Sequence, residues 1–462
     1  LCYGPDEGDV EVRHEVAKWL TDFYGGVYQP DHPPATGGSA ATAEPPVDVS
    51  SSIPPNPDAS IPSDRILITG GASQSLANIL AAFTDPTITL RIWIVAPAYM
   101  LAFRIFEDAG FVGRLRAVPE GNEGIDIDFL EHEIQAVEDD ERLRREESTS
   151  GDSQLREQDR RPGPRKPGRT HYYRHLIYSV PTFSNPSSRT MSLPRRESLI
   201  RLARRYDALL VSDDVYDMLY WPVLPPNTSH HSPTIPARAV LPRLTDIDRF
   251  LPRASPPTHP FGHALSNGSF SKLLGPGLRT GWVEGASAAV TALGRVGATR
   301  SGGAPSHFTA CVVGEGLKSG ETERQVRRLR REYARRWRRL RDAVEGVMGV
   351  EVVESTYIDR VAGGYFLCLT LPAPLIATEV VDRCKRVNLI VAPGDIFEVP
   401  GDNNTEKTRF RSLIRLCFAW EDEDKLEEGV ERLAGVIKVM LEERKTGGSH
   451  RVGDGSQKGD GE

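Results

Sequence analysis

Short apolar runs recur along roughly the first two thirds of the chain, each closed by turn residues and most followed by a stretch of helical spacing. Arg65-Ile66-Leu67-Ile68-Thr69 runs into Gly70-Gly71, and Leu76 to Phe83 then has a helical pattern. Ile92-Trp93-Ile94-Val95 leads through Ala96-Pro97-Ala98-Tyr99 into a helix reaching Ala109. His175 to Val180 ends in Pro181 and Asn185-Pro186 before a helix over Arg195 to Tyr206, and Ala208-Leu209-Leu210-Val211-Ser212 delivers Asp213-Asp214-Val215-Tyr216. Runs without polar alternation suit strands covered on both faces, and their alternation with helices favours a parallel sheet between two helical layers. The expected fold class is α/β, a large domain over residues 1–318 with a mainly parallel sheet covered by helices.

Three stretches interrupt this pattern and are expected to be disordered insertions: 29–63, rich in Pro, Ala, Ser and Thr; 138–170, highly charged; and 222–260, rich in Pro and His. His230 and His231 lie in the third, without an acidic or cysteine cluster beside them, and are read as solvent-facing. Ahead of all three, Asp9 to Tyr24 reads as an amphipathic helix. An arginine-rich helix from Glu321 to Val347 is expected to link to a smaller α+β C-terminal domain within 319–446, with strands near Gly364–Leu371 and Ser412–Phe418 and a disordered tail at 447–462.

Charge excludes some partners. With 57 basic and 64 acidic residues the net charge is −7, which gives no general attraction to nucleic acid or anionic lipid. No apolar run approaches the roughly 18 residues a membrane helix needs. The five cysteines are scattered without metal-ligand spacing and are expected to be reduced thiols in a cytoplasmic protein. Small-molecule chemistry is the remaining expectation.

The chemistry centres on Ser269-Phe270-Ser271-Lys272-Leu273-Leu274-Gly275-Pro276-Gly277-Leu278-Arg279. A lysine that condenses with an aldehyde needs a free amine, and Ser269, Ser271 and Arg279 beside it offer donors for a phosphate. Gly70-Gly71 between a strand and a helix places Ser73 and Gln74 where backbone N–H groups attract an anion. These are the needs of pyridoxal 5′-phosphate, which also requires a carboxylate at its ring nitrogen, partners for its ring hydroxyl and a flat stacking surface. Asp213, then Asn185 with Tyr216, then Tyr99 stand at strand ends to meet them. Each has a plain structural reading: Asp213 or Asp214 as a helix cap, Asn185-Pro186 as a turn, Tyr99 as a core residue.

Taken in this order, Tyr3-Gly4-Pro5-Asp6-Glu7-Gly8, Ile68 to Gln74, Ala96 to Tyr99, Ser184 to Ser188, Ser212 to Tyr216, the lysine loop and Ile414-Arg415-Leu416 resemble the class I/II aminotransferases of fold type I. The Pro276-Gly277-Leu278-Arg279 spacing is most similar to the branch of 2-aminoadipate and kynurenine aminotransferases and the MocR regulators. The resemblance implies that Lys272 binds the cofactor covalently and shuttles the substrate proton, and that Arg415 and Asn185 bind substrate, Arg415 gripping the α-carboxylate. It also implies a homodimer with shared active sites in which Tyr3 reaches the neighbour's phosphate, and that Gly363-Gly364-Tyr365 and Ala392-Pro393-Gly394 border the substrate. A family segment that closes over the substrate is expected upstream of Leu1. Asn185-Pro186-Ser187-Ser188 departs from the family pattern in lacking its turn glycine.

The implied activity is transfer of an amino group from 2-aminoadipate or an aromatic amino acid to a 2-oxo acid such as 2-oxoglutarate. Two alternatives remain at this point: a C–S lyase or related synthase on the same scaffold, and a MocR-type regulatory domain that binds the cofactor.

Overall fold

A computed structural model of the chain describes residues 3–25, 28, 59–150, 171–223, 241–348, 352–353, 361–402 and 406–449. Nine strands carry the first two thirds: β1 (Ile66–Thr69), β2 (Arg91–Ala96), β3 (Leu115–Gly121), β4 (Gly124–Ile125), β5 (His175–Ser179), β6 (Ala208–Asp213), β7 (Tyr220–Pro222), β8 (Ala264–Ser269) and β9 (Gly281–Glu284). All but β7 form one sheet in the order β1-β9-β8-β6-β5-β2-β3-β4. The steps from β3 through β2, β5 and β6 to β8 are parallel, while β9 runs antiparallel to both β8 and β1. Every residue of β5, β6 and β8 is buried, as strands covered by helices on both faces must be. The α/β class expected from the apolar runs is the class observed.

The C-terminal part carries a four-stranded antiparallel sheet in the order β10-β12-β14-β13, from β10 (Val352–Val353), β12 (Phe366–Thr370), β13 (Ala392–Pro393) and β14 (Leu413–Cys417). A short β11 (Val361–Gly363) pairs instead with β7 and ties this part to the large sheet's side of the molecule. The first helix, Val10–Tyr24, is capped by the Asp9 carboxylate, which accepts from Glu11 N and Val12 N. Its Val16, Leu20 and Tyr24 share one apolar cluster with Trp221, Trp337 and Phe418. The two ends of the chain are therefore packed into a common core.

The expected insertions fare differently. Residues 29–58 and 151–170 lie outside the described residues, as do 224–240 with His230 and His231. Two expectations are corrected. The helix Ile127–Ser150 continues through Glu138, whose carboxylate binds Arg174 at 2.5 and 2.8 Å and His175 at 2.9 Å, so the stretch has a buried partner that its charge density hides. Likewise Leu244–Phe250 is helical, with Leu244 and Ile247 fully buried and Arg243 beneath the surface against Asp246 and Glu284. Proline-rich flanks lowered the apparent order of a segment whose apolar residues reach the core. The last helix, Glu423–Ser449, is a third correction, since it runs past Gly447, where the tail was expected to begin.

The arginine-rich helix is Glu321–Met348. Its guanidiniums pair along the helix, Arg327 with Glu323 and Arg335 with Glu332, and across to Glu423 and Glu427 of the last helix. No helix among the described residues is long and apolar enough to cross a membrane.

Candidate active site

Strand β8 ends at Ser269, and the chain turns at once through a single 3-10 turn, Phe270–Lys272. Ser269 Oγ accepts from Ser271 N at 3.2 Å, which caps that turn, and the fully buried Phe270 ring lies 4.8 Å from Trp282 and 5.7 Å from Trp19. Gly268 makes this packing possible, since a Cβ there would stand 2.1 Å from the Trp282 ring. The backbone under Lys272 is thus fixed by aromatic packing on one side and a hydroxyl cap on the other. Its ammonium has no carboxylate within ion-pair distance among the described residues and sits over the rings of Tyr365 and Tyr216, at 5.1 and 5.9 Å. Burial lowers the Lys272 pKa, and the charge of Asp213 opposes this without cancelling it.

The parallel pairing of β6 with β8 puts Asp213 beside Asn267 at the carboxyl end of the sheet. Successive residues of a strand face opposite ways, and this decides between the two adjacent aspartates. Asp213 faces a cavity of about 360 Å³, whereas Asp214 turns away and accepts from Ser212 Oγ at 2.8 Å and Ser266 Oγ at 2.5 Å. Tyr178 donates to Asp213 Oδ2 at 2.9 Å, but the buried Oδ1 has no hydrogen-bond partner among the described residues. Burial raises the Asp213 pKa to about 6, with the Tyr178 hydrogen bond and the Lys272 charge pulling it back. The buried Tyr216 hydroxyl, pushed up by burial and by Asp213, stays protonated.

At the cavity's opposite end, Gly71 caps the helix Ala72–Phe83 with φ 98° and ψ 168°, a conformation open essentially to glycine alone. Arg279, itself left-handed at φ 49°, reaches over this turn so that Nη2 donates to Gly70 O at 2.9 Å. Ser269, Ser271, Ser73 and the helix start therefore converge with one guanidinium, an arrangement that suits an anion. Arg415, on β14, sits against the rings of Phe366 and Phe397 at 4.1 and 5.0 Å, and its Nη1 donates to Asn185 Oδ1 at 2.7 Å. This contact brings the C-terminal sheet to the edge of the large one.

The same cavity is lined by Ser73, Tyr99, Asn185, Asp213, Tyr216, Ser269, Ser271, Lys272, Arg279 and Arg415. Two residues named with them from the sequence lie elsewhere. Gln74 turns its amide oxygen back to accept from Gly70 N at 3.1 Å, and Tyr3 is 88% exposed, away from the cavity of its own chain. Sequence reasoning missed Tyr178 and Asn267, and it named Tyr365 only as bordering the substrate. Asn267 Nδ2 donates to Ala72 O at 3.0 Å and so ties β8 to the anion-facing helix, while Tyr365 donates to Lys272 O at 3.0 Å. The polar pair Ser266-Asn267 just ahead of the lysine loop was the available signal for Asn267; Tyr178 gave none apart from its partner.

A lysine amine, a carboxylate and an anion cup at the carboxyl ends of parallel strands, on this strand order, define a pyridoxal-phosphate enzyme of fold type I. The family described as aminotransferase class I and II matches residues 58–433, and the chain belongs to it: it is a pyridoxal-phosphate-dependent transaminase. Among similar proteins, the uncharacterized protein YER152C of Saccharomyces cerevisiae is 34% identical over 443 residues, 95% of this chain and 87% of that protein. The 2-aminoadipate transaminase of Thermus thermophilus is 29% identical over 383 residues, 82% of this chain and 76% of its own length. In fold, the chain resembles Pyrococcus horikoshii kynurenine aminotransferase, with a TM-score of 0.64 at 23% identity over 96% of this chain and 83% of that one.

The residues present fit the cofactor. Asp213 Oδ1, buried and unpaired among the described residues, is an acceptor suited to the N–H of a pyridinium, and Gly71 keeps the anion cup clear of a side chain that would meet Arg279.

Proposed function

We propose that the enzyme transfers the amino group of 2-aminoadipate or an aromatic amino acid to a 2-oxo acid such as 2-oxoglutarate. The observation that carries this reading is the meeting of Lys272, Asp213 and Arg415 in one cavity, with a relative of stated 2-aminoadipate activity in support. Once bound, the cofactor supplies an electron sink for the pair left when the substrate Cα–H bond breaks. Asp213 keeps the ring nitrogen protonated, and Tyr178 holds the carboxylate in place. Of the cavity's lining, Asn185 and Tyr216 would hold the ring hydroxyl, Tyr99 would offer its ring for stacking, and Ser73, Ser269, Ser271 and Arg279 would hold the phosphate. Gln74 contributes by fixing the Gly70 turn beneath it.

Lys272 would hold the cofactor through its amine, and the free amine would take the proton from the substrate Cα and hold it for return. Its lowered pKa favours the free amine that both tasks require. Arg415 clamps the substrate α-carboxylate through a planar fork already oriented by Asn185 and by the faces of Phe366 and Phe397. The chain works as a homodimer in the cytoplasm, with the exposed Tyr3 reaching the neighbouring subunit's phosphate.

The test is spectroscopic. Purified protein supplied with pyridoxal phosphate is expected to show the absorbance of a lysine-bound cofactor, absent in Lys272→Ala. Adding 2-aminoadipate, kynurenine or aromatic amino acids one at a time should bleach that band only with a true donor. Protein that stays colourless with the cofactor would overturn the assignment of Lys272, and a band unmoved by all these donors would overturn the substrate class.

A further inference from the structure

At the end of the sheet opposite Lys272, three chain segments feed adjacent parallel strands: His171 precedes β5, Asp207 immediately precedes β6 and His259 precedes β8. His171 Nε2 lies 2.7 Å and His259 Nε2 3.6 Å from the same Asp207 Oδ1. The two imidazoles stack with centroids 4.1 Å apart, and one ligand atom from each of the three residues lies within 4.8 Å of the others. The His259 side chain is only 6% exposed, yet neither ring nitrogen has a hydrogen-bond partner among the described residues. A neutral imidazole carries one donor and one acceptor, so burying both unpaired is unfavourable unless a further group completes the site. Two imidazoles shared with one carboxylate by hydrogen bonding alone would bring His259 nearer than 3.6 Å.

The guanidiniums nearby do not take the carboxylate. Arg174 is engaged by Glu138 and Arg253 by Asp248, which leaves Asp207 facing the two rings. Tyr173 packs edge-on against both rings, at 4.9 and 5.1 Å, and fixes their planes, while His263 Nδ1 is spent on Ala208 O at 3.0 Å. Zinc bonds to nitrogen and oxygen are about 2.0–2.1 Å, so tetrahedral neighbours stand about 3.3 Å apart. The separations of 2.7 and 3.6 Å lie on either side of that spacing.

We propose that His171, Asp207 and His259 form a binding site for a zinc-class divalent cation, with the fourth position open to water. The partial exposure of His171 and Asp207, 31% and 28%, gives the ion its route in. The donors are two imidazole lone pairs and one carboxylate oxygen, and binding releases any proton the ring nitrogens share with Asp207. Nothing is oxidised or reduced. The ion pins together the segments that enter β5, β6 and β8, a structural role remote from the transamination cavity at the strands' other ends.

The test is calorimetric titration of the dialysed, cofactor-loaded protein with zinc chloride, repeated with cobalt chloride for its visible spectrum. One ion per chain and intense tetrahedral cobalt bands are expected. His259→Gln and His171→Asn should each weaken binding by on the order of 100-fold, taking removal of a direct ligand to cost at least as much as loss of a ligand's supporting partner. Far-ultraviolet circular dichroism and the cofactor band identify whichever variant keeps its fold, and that variant decides. Asp9, His307 and Cys311 also lie within 4.8 Å of one another, so Cys311→Ser serves as the control and should bind as the parent does. No binding by the parent, parent-like binding by a folded His variant, or loss of binding in Cys311→Ser would each overturn the proposal.

Discussion

Tyr178 donates its hydroxyl to Asp213 Oδ2 at 2.9 Å and leaves Oδ1 buried without a partner among the described residues. One oxygen of the carboxylate is held by the fold, and under the proposed function the other would take the ring nitrogen of the cofactor. Replacing Asp213 by Asn preserves the shape but removes the charge that keeps a pyridinium protonated. Activity of Asp213→Asn is therefore expected to fall by on the order of 10²–10³, the usual scale for losing one electrostatic stabiliser of the transition state. Steady-state kinetics with a saturating cofactor supply check this.

The same residue gives a pH dependence. Burial raises Asp213 to about 6, above the ordinary 3.8, so the folded apoprotein holds this proton more tightly than the unfolded chain does. The stability this provides is fully present below the ordinary value and is lost as pH rises through about 6, a difference of about 3 kcal/mol at one pKa unit per 1.36 kcal/mol. Cofactor affinity runs the opposite way, because the bond between pyridinium and carboxylate has no room for a second proton. Below pH 6 the affinity should fall as Asp213 takes up its proton. In Asp213→Asn the apoprotein should lose its destabilisation near neutral pH, and both effects can be read from thermal melts and cofactor titrations between pH 5 and 8.

Arg415 offers a different separation of effects. Its fork is set by Asn185 and two phenylalanine faces, geometry that a lysine ammonium does not reproduce. Arg415→Lys is expected to raise KM for the amino donor by about 30- to 100-fold, equivalent to roughly 2–3 kcal/mol for a charge-assisted bidentate contact. The cofactor band should be unchanged. A variant that instead lost the band would place Arg415 in cofactor binding.

What the sequence made legible follows the range of the interactions involved. Lys272, Asp213 and the Gly70-Gly71 turn were readable because a strand end and its turn chemistry are written in consecutive residues. Asp213 was preferred to Asp214 as the ligand, but a cap reading stayed open for either, since the alternation that turns Asp214 toward Ser266 depends on where β6 ends. Tyr178 stayed invisible because its partner, Asp213, is distant in the chain, and so did the hydrogen bond from Tyr365 to the Lys272 carbonyl. Arg243 was lost in a proline-rich average, although it is fully buried against Asp246 and Glu284. Composition over a window measures how little a segment can bury, not whether a single side chain reaches the core.

Gly71 tests the anion cup without removing a charged group. An added Cβ would stand 2.8 Å from Arg279 Nη2, and φ 98° with ψ 168° excludes the new side chain at a cost of about 1–3 kcal/mol. Gly71→Ala should push Arg279 off Gly70 and weaken cofactor binding by about tenfold or more, a factor worth about 1.4 kcal/mol. A cofactor titration by absorbance or fluorescence reads the change. Unaltered affinity would show that Arg279 does not hold the phosphate.

Ser188 occupies the position where the family pattern has a turn glycine, and it adopts φ 60°, the left-handed region that disfavours a Cβ. The serine compensates: its Oγ donates to Phe366 O at 2.6 Å and so ties the Asn185 loop to the strand that carries Phe366 beside Arg415. Two substitutions separate strain from contact. Ser188→Ala keeps the strain and loses the bond, and is expected to destabilise by about 1–2 kcal/mol, since the Phe366 carbonyl is left short of a partner. Ser188→Gly loses the bond but relieves about 1 kcal/mol of left-handed strain, so its stability should stay within about 1 kcal/mol of the parent. Urea denaturation of the three proteins compares them directly. Ser188→Gly falling below Ser188→Ala would mean that the left-handed turn carries no strain, and that the serine stands there for the Phe366 contact alone.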